Sequence, residues 1–196
     1  MKNIAVFASG TGSNFQAIVD ASESGTLEAK VTLLVCDRPG VKAIERAEKH
    51  GIPTFVFSSK EYRNKEAFET EILKKLKEAK AEFIALAGYM RLIGPTLLSQ
   101  FQGKMVNIHP SLLPAFPGKD AIGQALEAGV SETGVTVHFV DNGMDTGPII
   151  EQATVPVDEN DTAEILQQKI HKIEHELYPK VIQDVLHTPT EKGEFV

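Results

Sequence analysis

Short apolar runs alternate with amphipathic helical patterns along most of this chain, and that alternation limits its fold more than any other feature. The runs are rich in Val, Ile, Leu, Ala and Phe, as in strands that are buried on both faces. The predicted strands cover residues 4–8, 31–36, 54–57, 82–87 and 104–108, and the helices between them cover residues 15–21, 43–50, 68–76 and 96–100. Strand–helix repeats of this kind build parallel sheets with right-handed crossovers. We therefore predict an α/β fold with a doubly wound, mostly parallel Rossmann-like sheet and helices on both of its faces.

The last third of the chain has a different pattern. Residues 135–140 alternate between apolar and polar types, and residues 149–157 form another extended segment. Alternation indicates strands with one exposed face, which is typical of antiparallel additions to a sheet. Residues 162–186 then form a long carboxyl-terminal helix, with Asp161 or Thr162 as its amino-terminal cap.

Length and composition indicate one domain, because 196 residues with 42% apolar content suit a single sizeable core. A formal net charge of −7 argues against a nucleic-acid partner, since phosphate backbones need a basic surface. The apolar stretches are too short to span a membrane, and the first strand begins too early to leave room for a signal peptide. The single cysteine, Cys36, excludes an internal disulfide and fits a reducing compartment. We therefore expect a cytoplasmic protein.

Residues 105–114 carry an apolar strand that ends in an Asn-Ile-His-Pro sequence. Pro110 cannot donate a hydrogen bond to a sheet, so the strand ends before it. Asn107 and His109 are two positions apart and therefore share one face of the strand. They place an amide and an imidazole at the carboxyl end of a parallel strand, where ligands bind in open α/β sheets. A histidine at a strand end is often only a hydrogen-bonded structural residue, and this motif alone leaves that alternative open.

An acidic residue strengthens the functional interpretation of that strand end. Asp145 lies between Gly143 and Gly147, in a segment that is too irregular for a helix or a strand. A carboxylate beside an imidazole favours the charged, proton-donating form of the imidazole. The sequence therefore predicts an active site that contains Asn107, His109 and Asp145.

A glycine loop, residues 9–14, follows the first strand and opens the first helix. Glycines at such a place let backbone N–H groups approach an anion at the amino terminus of the helix, and the polar residues beside them add donors or caps. A tight turn without a ligand is a second interpretation. A dinucleotide site, with Asp37 as its ribose-binding acid, would need a third glycine where Phe15 stands. We therefore predict no nicotinamide cofactor but a phosphate monoester, bound by Gly12, Ser13 and Asn14.

His171, Glu174 and His175 match the H-x-x-E-H spacing of one group of zinc proteases. A zinc site needs a third protein ligand, usually well downstream, and few residues follow His175. Charged residues on a last helix more often form a solvated face. We therefore expect no metal, and we keep Glu174 as a candidate for binding the hydroxyl groups of a ligand.

Four segments give the chain a resemblance to the phosphoribosylglycinamide formyltransferases that covers essentially its whole length. They are residues 10–14, 87–91, 107–114 and 145–148. The Asn/His/Asp set is shared by folate-dependent formyltransferases in general, whereas the glycine loop and the single-domain length point to the purine enzymes. The resemblance implies transfer of the formyl group of 10-formyltetrahydrofolate to the amine of N1-(5-phospho-D-ribosyl)glycinamide, giving the N-formylglycinamide ribonucleotide and tetrahydrofolate in purine biosynthesis.

The resemblance also implies roles for individual residues. Asn107 would hold the tetrahedral oxyanion, His109 would be the proton donor, and Asp145 would favour the charged form of His109 and relay protons. The ribonucleotide would be bound by Gly12, Ser13, Asn14 and Glu174. The co-substrate 10-formyltetrahydrofolate would be bound by Lys65, Met90, Arg91, Leu92, Ile93 and Asn107.

The same resemblance implies one formyltransferase domain over residues 1–196, with phosphate binding in about residues 1–100 and the catalytic and folate-binding loops in about residues 101–196. Two positions depart from the family pattern. A folate-contacting position that is often Arg is Lys65 here, so either Lys65 or Arg63 would contact the folate. The loop at residues 118–122 lacks histidines that some relatives carry.

Other classes of protein remain as alternatives. A formyltetrahydrofolate hydrolase would use the same residues with water in place of the amine, but a regulatory domain would precede it. A methionyl-tRNA formyltransferase would need a nucleic-acid-binding extension after the last helix. A dehydrogenase is disfavoured by the glycine spacing, and a phospho-ligand binding module would have no use for the Asn/His/Asp set. We expect small-molecule substrates, no nucleic-acid or membrane partner, and a monomer or a homodimer.

Overall fold

A computed structural model describes residues 1–188, and it confirms the predicted fold class. Within that range seven strands alternate with six α-helices, in the order β1 (Lys2–Ala8), α1 (Ser13–Ser24), β2 (Ala29–Cys36), α2 (Lys42–Lys49), β3 (Thr54–Val56), α3 (Lys65–Glu78), β4 (Phe83–Leu86), α4 (Pro95–Phe101), β5 (Met105–His109), α5 (Ala121–Glu127), β6 (Glu132–Phe139), β7 (Ile149–Pro156) and α6 (Ala163–His187).

The strands form one sheet in the order β3-β2-β1-β4-β5-β6-β7. The first five strands are parallel to one another, whereas β6 is antiparallel to β5 and β7 is antiparallel to β6. The antiparallel addition predicted from the alternating pattern is thus confirmed. The strand order reverses beside β1, and in open α/β sheets ligands bind at the carboxyl ends of strands near such a reversal.

Helices cover both faces of the sheet because the parallel strands are apolar on both sides. In β1, Ile4 and Val6 join a core with α1, α2 and α6, while Ala5 and Phe7 join a core with α3 and α4. All four side chains are fully buried. The continuous apolar run that predicted a doubly covered strand reflects this packing.

One helix was not predicted from the sequence. Residues 118–122 were expected to be a loop, but α5 begins at Ala121. Asp120 is its cap, and the Asp120 side chain accepts a hydrogen bond from the Gly123 N–H at 3.1 Å. The helix has only seven residues and contains a glycine, so it shows little helical periodicity in the sequence.

The long helix α6 is fixed to the sheet by a buried tyrosine. The hydroxyl of Tyr178 is close to two backbone carbonyl oxygens, of Leu86 at 2.7 Å and of Val106 at 3.1 Å. These carbonyls belong to β4 and β5, so Tyr178 sets the position of α6 along the strands that lead to the candidate site. None of the helices in the described part of the chain is long and apolar enough to cross a membrane.

Candidate active site

The carboxyl end of β5 carries Asn107 and His109 on one face, as predicted. The antiparallel strand β6 places His138 directly opposite Asn107 in the register and Thr136 opposite His109. Asp145, from the loop after β6, lies 3.5 Å from His109 and 3.8 Å from His138, measured from Asp145 oxygens to ring nitrogens. We call Asn107, His109, His138 and Asp145 the β5–β6 cluster.

The two ring nitrogens of His109 both face acceptors. Its Nε2 lies 2.8 Å from the carbonyl oxygen of Phe116, which can only accept, so Nε2 carries a proton. Its Nδ1 faces the Asp145 carboxylate at 3.5 Å, which also accepts when ionised. His109 is therefore placed with a possible hydrogen-bond acceptor beside each of its ring nitrogens.

The carboxyl group of Asp145 is held in its ionised form. Burial by itself raises the Asp145 pKa, but the His138 imidazole, the Gly118 N–H and the charge of His109 outweigh burial and leave the pKa below its ordinary value. The Gly118 N–H donates to the carboxylate at 2.8 Å. Asp145 also has a φ of +56°, a conformation that Asp and Asn tolerate better than most residues.

His138 is a fourth member of the cluster, and it was not among the residues predicted from the sequence. Its Nδ1 lies 2.8 Å from the carbonyl oxygen of Phe139 and therefore carries a proton. Its Nε2 lies between two neighbours, 3.2 Å from the amide nitrogen of Asn107 and 3.8 Å from an oxygen of Asp145. His138 therefore links Asn107 to Asp145. The signal in the sequence was the alternation of β6, which puts His138 and Thr136 on one face.

The proline-containing segment after β5 folds back to reach His109. Thr136 fixes this return, because its hydroxyl donates to the Ser111 carbonyl at 2.7 Å and accepts from the Leu113 N–H at 3.0 Å. The Ser111 hydroxyl in turn donates to the Ala115 carbonyl. The segment is thus held in the shape that presents the Phe116 carbonyl to His109.

The glycine loop leads into α1 with a backbone suited to an anion. Gly12 is the cap residue of α1, with a φ of +70°, and in the described part of the chain no side chain forms a capping hydrogen bond with the first turn. The first N–H groups of the helix are therefore not capped by a side chain, and such groups bind phosphate readily. Gly12 is also required by packing, because a Cβ there would lie 2.8 Å from Ala43.

Asn14 and Glu174 were both predicted to bind the ribonucleotide, and the structure brings them together. The Asn14 amide donates to Glu174 at 3.1 Å. Burial of the Glu174 carboxyl raises its pKa to about 7, against a smaller lowering by the Asn14 hydrogen bond. The Oδ1 atom of Asn14 is buried and has no hydrogen-bond partner among residues 1–188. A polar pair with one acceptor unused is suited to a ligand that donates hydrogen bonds, such as a sugar hydroxyl.

The 90–93 segment follows β4 at the same edge of the sheet. Met90 and Leu92 expose large apolar side chains, while Ile93 is buried. Lys65 donates to the Leu92 carbonyl at 3.0 Å, so Lys65 supports this segment directly. Arg63 precedes the cap of α3 and is exposed. The Arg91 side chain binds Asp37 at 2.7 Å.

The H-x-x-E-H pattern lies on α6, with the His171 and His175 rings stacked at a centroid distance of 5.8 Å. Glu174, between them in sequence, accepts from Asn14. Within residues 1–188, no three His, Cys, Asp or Glu side chains are grouped so that they could hold a metal ion.

Comparison with known proteins identifies the class of enzyme to which this fold and cluster correspond. The sequence model that describes the formyl transferase family matches residues 2–182 of the chain. The matched range contains the glycine loop, the 90–93 segment, the β5–β6 cluster and Glu174.

Individual relatives narrow the class. The phosphoribosylglycinamide formyltransferase of Bacillus subtilis is 59% identical over 186 residues, which is 95% of each chain. The trifunctional purine biosynthetic protein adenosine-3 of Drosophila melanogaster is 45% identical over 183 residues, which is 92% of this chain but 14% of that protein. The crystal structure of glycinamide ribonucleotide transformylase 1 from Geobacillus kaustophilus has a TM-score of 0.92 at 66% identity, over 95% of this chain and 99% of that one. The chain therefore belongs to the formyl transferase family and, within it, to the phosphoribosylglycinamide formyltransferases.

Proposed function

We propose that this protein transfers the formyl group of 10-formyltetrahydrofolate to the amine of N1-(5-phospho-D-ribosyl)glycinamide, giving the N-formylglycinamide ribonucleotide and tetrahydrofolate, as a step of purine biosynthesis. The observation that carries the proposal is the β5–β6 cluster, in which an amide, an imidazole and a carboxylate converge at the carboxyl-terminal edge of the parallel strands. Family membership and the anion-binding loop support the choice of substrates.

The chemistry follows from the groups in the cluster. The substrate amine attacks the formyl carbon, a new C–N bond forms, and the carbonyl oxygen becomes an oxyanion. The Asn107 amide and His109 stabilise this charge with donors that are already oriented, which is commonly the largest catalytic effect. The bond from the formyl carbon to N10 of the folate then breaks. His109 supplies a proton to N10, and Asp145 takes part in removing the proton that the amine loses.

The binding residues divide between two neighbouring regions. Backbone N–H groups of Gly12, Ser13 and Asn14 bind the phosphate, and Glu174 binds the ribose hydroxyls. The folate ring lies on the 90–93 segment, with its apolar side chains as cover and Lys65 as the supporting cation. We retain the division of one domain into a phosphate-binding part, about residues 1–100, and a part with the catalytic loops, about residues 101–196. Two assignments cross this division, because Glu174 of the ribonucleotide site lies in the second part and the folate-binding 90–93 segment lies in the first.

The proposal includes the remaining partners and the compartment. Formyl-folate is a co-substrate, and neither a metal nor a nicotinamide takes part. The fully buried Phe15 supports the proposal that no nicotinamide takes part, because a dinucleotide-binding fingerprint needs glycine at that position. We propose a monomer or homodimer in the cytoplasm without nucleic-acid or membrane partners. The net charge of −7 and the buried free thiol of Cys36 support this. Sedimentation of the purified protein tests the oligomeric state.

An assay of tetrahydrofolate formation from 10-formyltetrahydrofolate, with and without the ribonucleotide, tests the reaction. We expect turnover only when the ribonucleotide is present, with one formylated ribonucleotide formed for each tetrahydrofolate. Formate release without the ribonucleotide would identify a hydrolase instead. Binding of the ribonucleotide without turnover would identify a phospho-ligand binding module.

A further inference from the structure

Asp37 is a buried carboxylate that the proposed chemistry does not use. It follows β2 directly, and its side chain is only 2% exposed. The Arg91 Nε donates to one of its oxygens at 2.7 Å, and the Ser9 hydroxyl donates to the other. Both oxygens are thus engaged by residues of the protein, so Asp37 is not positioned as a free ribose-binding acid.

Ser9 connects the glycine loop to the segment after β4. Its backbone N–H donates to the Gly88 carbonyl at 3.1 Å, and its hydroxyl oxygen accepts from the Met90 N–H at 2.9 Å. The same hydroxyl donates to Asp37. Ser9 immediately precedes Gly10, so one buried residue is bonded to both regions that bind substrates in the proposed function.

Arg91 is held in place on its other side as well. Its Nη2 donates to the Ser59 hydroxyl at 2.7 Å, and its guanidinium lies 5.7 Å from the centre of the Phe68 ring. The Arg91 side chain therefore fixes the 90–93 segment to the interior of the protein.

The contacts of Asp37 with Ser9 and with Arg91 depend on each other energetically. A buried carboxylate that loses one partner keeps its charge in a poorly solvating environment, which is strongly unfavourable. A movement of the 90–93 segment that withdrew Arg91, or a movement of the glycine loop that withdrew Ser9, would leave Asp37 incompletely paired. Each loop is therefore most stable in the position that keeps the other one in place.

We propose that Asp37 is a positioning residue that couples the ribonucleotide loop to the folate segment, so that each substrate strengthens the binding of the other. Asp37 touches neither substrate and acts through Ser9 and Arg91. The inference rests on the proposed function, because it takes the glycine loop and the 90–93 segment as the two binding regions.

Calorimetric titration with glycinamide ribonucleotide, with and without saturating tetrahydrofolate, measures the coupling. This pair of ligands carries no formyl group, so no turnover disturbs the titration. In the unmodified protein we expect tetrahydrofolate to lower the Kd of the ribonucleotide by about 5-fold or more, within the usual range for coupled sites. In Asp37→Asn we expect both ligands to bind, but the ratio of the two Kd values to fall to about 1.

A matched control and a second variant complete the test. Asp161 is also well buried, at 6% exposure, and binds Lys169 at 2.7 Å away from both loops, so Asp161→Asn should keep the unmodified ratio. Ser9→Ala removes the bridging hydroxyl while keeping the Asp37–Arg91 pair, and should also abolish the coupling. If Asp37→Asn does not fold, the Kd ratio of Ser9→Ala alone tests the inference.

Two results would overturn the inference alone: a ratio of 1 in the unmodified protein that binds both ligands, or an unchanged ratio in Asp37→Asn or Ser9→Ala. Failure of the unmodified protein to bind either ligand would overturn the proposed function, and this inference with it.

Discussion

Asp145 and Glu174 are both carboxyl groups that face the proposed substrates, but their surroundings shift their pKa values in opposite directions. Asp145 in the β5–β6 cluster has two imidazoles and a backbone N–H around it, and its pKa is lowered. Glu174 beside the glycine loop is buried, accepts from the Asn14 amide and lies 4.0 Å from the His171 ring nitrogen, and burial raises its pKa to about 7.

The difference fits the two roles that we propose. The β5–β6 cluster combines an ionised carboxylate with polar side chains, which would suit developing charge and proton transfer. The glycine loop region combines backbone N–H groups with a carboxyl group whose pKa is raised, and we propose that it recognises a phosphate and hydroxyls. The following experiments challenge this contrast, beginning with the largest expected effect.

Replacing Asn107 with alanine tests whether side chains carry the chemistry in the β5–β6 cluster. The loss of one oriented donor to an oxyanion should lower kcat by about 10²–10³-fold. The Kd of each substrate should change much less, because the lost interaction forms mainly in the transition state. Steady-state kinetics with direct binding measurements check this, and Asn160→Ala, in an exposed turn before α6, is the matched control. A near-normal kcat would show that the cluster does not stabilise an oxyanion.

Glu174→Gln tests the raised pKa in the other region. Because the carboxyl of the folded protein keeps its proton to a higher pH than that of the unfolded chain, folding is favoured most below about pH 4.5, and this advantage is lost as pH rises through about 7. Glutamine does not ionise, so the variant does not lose folding stability as pH rises. The glutamine amide is also able to donate a hydrogen bond to the Asn14 Oδ1 atom. The variant should therefore be more stable than the unmodified protein at pH 8, by on the order of 3 kcal/mol, with the difference shrinking towards acid pH.

Urea unfolding at pH 4.5, 6 and 8 measures that difference. Glu176→Gln, an exposed position on the same helix, should show no comparable pH dependence. A stability difference for Glu174→Gln that is the same at all three pH values would contradict the raised pKa.

Asp145→Asn tests whether the ionised carboxylate takes part in proton transfer beside His109. Without the anion that faces the His109 Nδ1, proton transfer should be slower, so we expect a reduced kcat with Kd values that change much less. The positive φ suits asparagine as well as aspartate, so the backbone should be kept. A normal kcat would make Asp145 a structural residue.

Ser13→Ala should have the smallest effect and sharpens the claim that backbone groups bind the phosphate. Loss of one side-chain hydrogen bond should raise the KM of the ribonucleotide by about 2- to 10-fold and leave the KM of formyl-folate unchanged. A loss of several hundred-fold would mean that the hydroxyl, not the backbone, carries recognition. Gly12 is unsuited to this test, because any Cβ there would meet Ala43 at 2.8 Å and the fold itself would suffer.

The parallel half of the sheet was predictable because each of its strands is buried on both faces and therefore appears as a continuous apolar run. Helix α5 was missed because Asp120 and Gly123 look like loop residues, and its stability depends on a cap that only the folded chain displays. Bounds elsewhere shifted by a few residues, as where β1 extends back to Lys2.

The candidate site was predictable where the spacing within one segment decided it, as for Asn107 and His109. His138 was missed because its proximity to Asn107 depends on the pairing of β5 with β6, a register that no local pattern encodes. The contact of Asn14 with Glu174 likewise joins residues from the two ends of the chain. The assigned roles of these residues remain predictions.

The antiparallel return of β6 keeps the β5–β6 cluster local in the sequence. Because β6 turns back beside β5, all four members of the cluster lie between positions 107 and 145, whereas the glycine loop lies nearly a hundred positions earlier. A recombination point before β4 would therefore exchange the glycine loop and leave the cluster, the 90–93 segment and Glu174 together.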